Sequence, residues 1–388
     1  MSEWKKVKLG EITQIIDGDR GKNYPKNNEF SNVGYCLFLN TGNVTKEGFT
    51  FENNQFISKE KDNLLRKGKI QRGDLILTTR GTVGNIGFYD NHIKYDNIRI
   101  NSGMVILRVI KDIVDAQFLY QLIRGNECRT YIKSFCTGSA QPQLPIKNLS
   151  QIDIKIPHLL TQHRIATILS RYDSLIENYQ KQIKLLEEAA QRLYKEWFVD
   201  LHFPGYETTK IIDGVPDGWE KKKVGDITPI KTGKKDANFG TSDGAYPFFT
   251  CSQEPIKAPS YSFDTSAVIL AGNGDFNVKL YRGKFEAYQR TYVLEPTNEK
   301  MLYLLYFCIS ENMNRLATGA SGSTIKFLTK GMIESLVINK PSTIVLDSFN
   351  QIIEPIRTQK ENLQTQIRLL TEARDRLLPK LMSGEIAV

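Results

Sequence analysis

The chain writes one plan twice, and this repeat limits what it can fold into more than any other feature. Trp4-Lys5-Lys6-Val7-Lys8-Leu9-Gly10-Glu11-Ile12 returns as Trp219-Glu220-Lys221-Lys222-Lys223-Val224-Gly225-Asp226-Ile227. TGSAQPQLPIKNLSQIDIKIP (137–157) returns as SGSTIKFLTKGMIESLVINKP (321–341), and QIKLLEEAAQRLY (182–194) as QIRLLTEARDRLL (366–378). The last two pairs share an offset of 184 residues while the first is offset by 215, so the first copy is longer by 31 residues in its interior. Fixed ends around a variable middle describe two modules on a common frame, diverging where each meets its own ligand. Two equal units in one chain are most simply related by a pseudo-twofold axis. Such an axis predicts two long helices running antiparallel, and chain termini that lie close together.

Each copy reads as a mixed α/β module followed by a long helix. The modules cover 1–157 and 206–341, and the helices 158–205 and 342–388. GDLILTTRGTVGNIGFY (73–89) and SAVILAGNGDFNVKLY (266–281) alternate β-formers with Gly-rich turns. QFLYQLIRGNECRTYI (117–132) and MLYLLYFCISENMNRL (301–316) read as helices, and QIDIKIP and SLVINKP as strands stopped by Pro157 and Pro341. Beyond each proline, apolar residues recur at spacings of three and four. In the first helix these are Ile165, Ile168, Tyr172, Leu175, Tyr179, Ile183, Leu186, Ala190, Leu193 and Trp197; in the second, Phe349, Ile353, Ile356, Leu363, Ile367, Leu370, Leu377 and Leu381. That pattern is a coiled-coil seam, and about 40 residues at 1.5 Å each make a helix of roughly 60 Å. Ile165, Ile168, Tyr172, Leu186, Leu193, Ile353, Leu363, Leu370 and Leu377 are the packing positions. Lys360 and Arg374 interrupt the seam, as polar residues that fix register and partner do. Pro355 is expected to kink the second helix or mark its start, with Pro204-Gly205 and Gly384 as the two stops.

Charge separates the modules from the helices. Residues 1–157 carry 23 Lys and Arg against 16 Asp and Glu (+7), and residues 206–341 carry 17 against 15 (+2). The two helical segments carry six against six each. The surplus of a chain at net +9 therefore sits in the modules, which suits a polyanion such as nucleic acid as well as it suits a plain solvated basic surface. No apolar run reaches the ~18 residues that span a bilayer, and MSEWKKVKLG has no signal-peptide core. The five scattered cysteines, without CxxC spacing, read as reduced thiols, neither disulfides nor a metal site, in a cytoplasmic protein. GxxxxGK[ST], HExxH and NPPY-like stretches are all absent, and the glycines of 81–87 and 272–274 lie between strands, where a dinucleotide loop would open a helix. The chain reads as non-catalytic.

QHRIATILSRYDSLIE (162–177), WFVDLHFPG (197–205) and above all RDRLLPKLMSGEI (374–386) resemble segments of type I restriction–modification specificity subunits, and TGSAQPQLP (137–145) resembles the loop closing each target-recognition domain there. The resemblance runs the whole chain in the order domain, helix, domain, helix, although TGASGSTIKFL lacks the Gln-Pro-Gln of the first loop. It implies two α/β target-recognition domains and two long antiparallel helices. It also implies a double-stranded DNA partner, two methyltransferase (M) subunits and two motor-nuclease (R) subunits. S-adenosylmethionine, ATP and Mg²⁺ would belong to those partners. On this reading Arg80 follows a strand and either pairs with guanine, contacts phosphate or makes a surface ion pair. Arg20, Lys22, Lys234 and Lys235 are phosphate contacts. Asn273 faces DNA, and the loop residues Ser139, Gln141, Gln143, Ser323, Thr324 and Lys326 face DNA or hold the helix that follows. Trp197-Phe198 is either a docking patch for M or core. A free-standing two-headed regulator and a protein-binding scaffold are the rivals.

Overall fold

The computed structural model describes residues 4–138, 142–322 and 326–388. The chain divides into two compact units, Met1–Tyr179 with Thr365–Val388, and Gln180–Gln364. Each unit takes a piece of both long helices.

In the first unit, strand Lys5–Lys8 pairs antiparallel with Asp153–Ile156, closing the module at its two ends. A four-stranded antiparallel sheet runs in the order Thr13–Asp17, Met104–Val109, Leu75–Thr78, Ile86–Phe88. Its central strands are apolar except for Thr78 and Arg108, and both faces are covered. Leu75, Leu77, Val105 and Leu107 face Phe118, Leu119 and Ile123 of helix Ala116–Arg124. Ile76, Met104 and Ile106 face Leu37, Leu39, Ile98 and Ile100 of a three-stranded sheet. In that sheet Cys36–Leu39 lies between antiparallel Phe56–Ile57 and parallel Ile98–Ile100.

The second unit repeats the frame with fewer interruptions. Glu220–Lys223 pairs with Val337–Lys340, the counterpart of the first closure. One six-stranded sheet follows the order Ile230–Thr232, Thr291–Leu294, Phe263–Ala271, Val278–Ala287, Tyr246–Phe249, Ile256–Ala258. Strand Val278–Ala287 pairs with Phe263–Ala271 and, at its end, in parallel with Tyr246–Phe249. It thus spans what the first copy splits into Ile86–Phe88 and Ile98–Ile100. The extra chain of the first copy lies in the connections 40–55, 58–74 and 89–97. The helices expected over 117–132 and 301–316 are each broken in two, at Gly125 and at Asn312.

The long helices are Leu159–Tyr194, extended by a wider π turn at Lys195–Val199, and Thr343–Ser383. In the second unit Glu187 meets Lys360 at 2.5 Å and Trp197 meets Phe349, so one helix descends as the other rises. In the first unit Asp173 meets Arg374 at 2.8 Å. Both interruptions of the seam therefore have an acid across from them. Ile165, Ile353 and Leu363 are buried, and Ile168, Tyr172, Leu186, Leu193, Leu370 and Leu377 are half-buried. Leu175 departs from the expected seam and is exposed, while Leu169 is fully buried because the first module covers it.

Pro355 neither starts nor ends the second helix, which begins twelve residues earlier at Thr343 and runs through it. Pro355 is exposed, as is Gln351 one turn earlier, so the hydrogen bond the ring removes is lost on the solvent side of the helix. The first helix also stops sooner than Pro204-Gly205, at Val199, with Leu201 left-handed at φ 61° and the His202 N–H donating to Glu196 O. Gly384, at φ 76°, does end the second helix, and a β-carbon there would lie 2.7 Å from the Trp4 indole nitrogen, so the chain's two ends are close, as expected. Trp197 and Phe198 are core: they pack on Phe349 and Trp219.

Candidate nucleic-acid interface

One backbone arrangement recurs in both modules and gathers most of the expected polar residues. In the first, Thr137 and Gln143 exchange N–H···O bonds of 2.7 and 2.9 Å, pinching off the loop, and Gln143 also bridges Arg80. The Leu144 N–H then donates to Thr79 O at 2.9 Å, and the buried Leu144 side chain anchors the segment. In the second, Ser321 and Phe327 exchange bonds of 3.0 and 2.8 Å, Phe327 bridges Asn273, and the Leu328 N–H donates to Gly272 O. Arg80 and Asn273 therefore occupy one position of a shared frame. Side chains alternate along the pinned segment, so Leu144 and Leu328 turn inward while Gln143 and Phe327 turn outward.

A second turn joins this loop to the other basic candidates. Gly103 O accepts from the Thr79 and Arg80 N–H groups, and the neighbouring Ser102 O accepts from the Arg20 guanidinium at 3.3 Å. Gly18 lets the backbone pass here, since a β-carbon would lie 2.3 Å from Asn101 O. Asp19 shapes the turn carrying Arg20 and Lys22, accepting from the Gly21 and Arg66 N–H groups at 2.8 Å each. The Gly21 N–H holds its carboxyl below the usual carboxylate range, against the opposing pull of burial. In the second module Gly233 does the same work, with a β-carbon reaching 1.9 Å from Ala287 O. There the Gln289 N–H donates to Lys235 O and the Gly272 N–H to Arg290 O, so turn 288–290 links Lys235 to Asn273.

The side chains differ in how far they are committed. Arg80, Lys22, Lys234 and Lys326 are exposed and make no side-chain hydrogen bond or ion pair among the described residues. Arg20 is partly engaged by Asp17 at 3.2 Å, and the Lys235 ammonium sits 4.3 Å from the Phe239 ring centre. Asn273 is half-buried, its amide against Cys251. Ser139, Gln141, Ser323 and Thr324 lie outside the described residues. Sequence reasoning missed Arg290, exposed in the linking turn, and Arg129 and Lys133, whose chains pack on Gly84 in the turn after Arg80. Helix Asn126–Ser134 places the latter two together at a spacing of four, which was the only signal available.

Among the described residues no group of three His, Cys, Asp or Glu side chains could hold a metal ion, and no helix is long and apolar enough to cross a membrane. The cysteines are unpaired thiols; burial pushes Cys36 and Cys128 up to about 12, far from reactive thiolates.

Residues 1–188 and 216–365 match the family model described as the type I restriction modification DNA specificity domain. The chain belongs to this family. A specificity subunit is the DNA-recognition part of a type I restriction–modification system and is not its catalytic part. The chain is 38% identical over 176 residues to the EcoDI specificity subunit of Escherichia coli, a match spanning 44% of this chain and 39% of that protein. It is 28% identical over 345 residues to the MjaIX specificity subunit of Methanocaldococcus jannaschii, spanning 82% and 78%. The crystal structure of the type I restriction–modification S subunit from M. genitalium superposes with a TM-score of 0.61 at 16% identity, over 98% of this chain and 96% of that one. At that identity the likeness is one of fold.

Proposed function

We propose that the specificity subunit reads a split, asymmetric site in double-stranded DNA, one half through each target-recognition domain (1–157 and 206–341). The observation that carries this reading is the shared frame with unlike side chains: Arg80 beside Gln143 in one module, Asn273 beside Phe327 in the other. Equal frames approach the duplex alike, and unlike donors select different base edges. Arg20, Lys22, Lys234, Lys235 and Lys326 then hold phosphates, and Ser139, Gln141, Ser323 and Thr324 complete the loops. The paired helices (158–205 and 342–388) set the unread gap between the halves. They also carry two methyltransferase subunits, joined by two motor-nuclease subunits in the full assembly. S-adenosylmethionine, ATP and Mg²⁺ serve the chemistry of those partners. Methylome sequencing of a host carrying the complete system tests the reading: two different half-sites separated by unread base pairs are expected. A continuous or perfectly palindromic motif refutes it.

A further inference from the structure

Phe327 is the residue that the architecture does not need as packing. Its backbone is pinned from both sides, by Ser321 across the loop and, through the next residue, by Gly272. Leu328 supplies the inward anchor, 2% exposed, and its carbonyl accepts the Tyr292 hydroxyl at 2.8 Å. The Phe327 ring itself is 37% exposed and meets no other aromatic ring among the described residues. The first copy carries Gln143 at this position, so the frame tolerates a polar side chain there. A partly exposed aromatic side chain on a backbone pinned from both sides, opposite Asn273 in the bridge, is suited to an apolar feature on an otherwise polar, anionic ligand.

Duplex DNA offers one such feature to its major groove, the C5-methyl group of thymine; the other edges there present only donors and acceptors. An amide next to an aromatic ring also matches an A·T pair, whose adenine edge suits Asn and whose thymine methyl suits Phe. We infer that Phe327 packs on a thymine C5-methyl in the half-site read by the second module, making this residue a determinant of that half's sequence. The first module, with Gln143 beside Arg80, has no such contact. This rests on the reading that each module recognises DNA, and its test separates the two.

Uracil lacks only the C5-methyl group, so it removes the contact without touching the Watson–Crick edge. With the motif known from methylation, duplexes are made with uracil replacing each thymine in turn, on both strands and in both halves. Binding is measured by competition with the assembled specificity and methyltransferase subunits. In wild type, one substitution should weaken binding about fourfold, the worth of one buried methyl group. F327Q, which places the first copy's residue in the second frame, should abolish that sensitivity. R80A should leave it in place. Should F327Q fail to assemble, F327A makes the same comparison, and the wild-type uracil scan needs no variant. The inference is overturned if no thymine in the motif depends on its methyl group, or if the dependence survives F327Q. A complex that binds motif and scrambled duplexes alike would overturn the reading of DNA by the modules as well.

Discussion

Asp173 joins three elements of the first unit, and its removal should loosen that unit selectively. Its carboxylate accepts from Gln121 at 2.5 Å and from Arg124 at 2.9 Å, both on the module helix, and from Arg374 on the second long helix at 2.8 Å. The arginine side chains are only 10% and 13% exposed, against 27% for the aspartate. Burial opposes the charge on Arg374, and only the hydrogen bonds it donates to Asp173 and Asp375, together with their negative charges, outweigh it. D173A leaves two half-dry guanidinium groups facing each other. Breaking a buried pair costs about 3–5 kcal/mol. Partial exposure, and the second partner of Arg374 at Asp375, reduce this to about 2–3 kcal/mol. Two units make a single unfolding curve ambiguous, so hydrogen exchange read peptide by peptide is the appropriate assay. The slowest amides of Thr13–Asp17 and Met104–Val109 should exchange about 30- to 150-fold faster, while those of Phe263–Ala271 keep their rates. Replacing both cations as well (D173A with R124M and R374M) should recover most of the loss, because apolar groups of similar volume need no counter-charge. An acceleration below about threefold, or one shared equally by both units, would refute the argument. So would a triple variant no more stable than D173A.

Two further outcomes follow from named contacts. Burial pushes Glu354 up, but the Tyr303 hydroxyl and the Arg282 guanidinium outweigh it, and its pKa lies below the ordinary 4.5. A depressed folded pKa adds stability that is present above the unfolded value and lost as pH falls through the folded one. E354Q should therefore lower the thermal midpoint of the second unit at neutral pH, with the difference shrinking in acid; a difference independent of pH would exclude this role. For spacing, four residues inserted after Tyr179 and four after Gln364, where the compact units divide, keep the Asp173–Arg374 and Glu187–Lys360 pairs in register. One added turn of about 6 Å should widen the unread gap by about one or two base pairs and change neither half-site. Altered half-sites with an unchanged gap would show that the helices do not set the spacing.

Much of the architecture was legible because it is written locally or twice. The 184- and 215-residue offsets return in the structure as matched closures, Lys5 opposite Ile156 and Glu220 opposite Lys340. Alternation and period-three-and-four spacing located the strands after residues 73 and 266 and both long helices, since those patterns need only neighbours along the chain. The seam was misread where a third surface intervenes: Leu169 is buried and Leu175 exposed because the module covers the helix there, which heptad arithmetic cannot register. Of the two readings of Pro355, the one that made it the start of the second helix is excluded, because the helix already begins at Thr343.

The recognition surface shows the same division. Sequence alone determined that there are two modules, that their ends agree and their interiors differ, and that the surplus of positive charge sits on the modules and not on the helices. It also supplied the candidates Arg80, Gln143 and Asn273 individually. Only the tertiary structure decided that Gln143 meets Arg80, that Phe327 meets Asn273, and that Arg290 stands in the turn between Lys235 and Asn273. Those partners are far apart in sequence, and what brings them together is sheet pairing and the burial of Leu144 and Leu328. Both are properties of the closed fold, and no local pattern of residues encodes them.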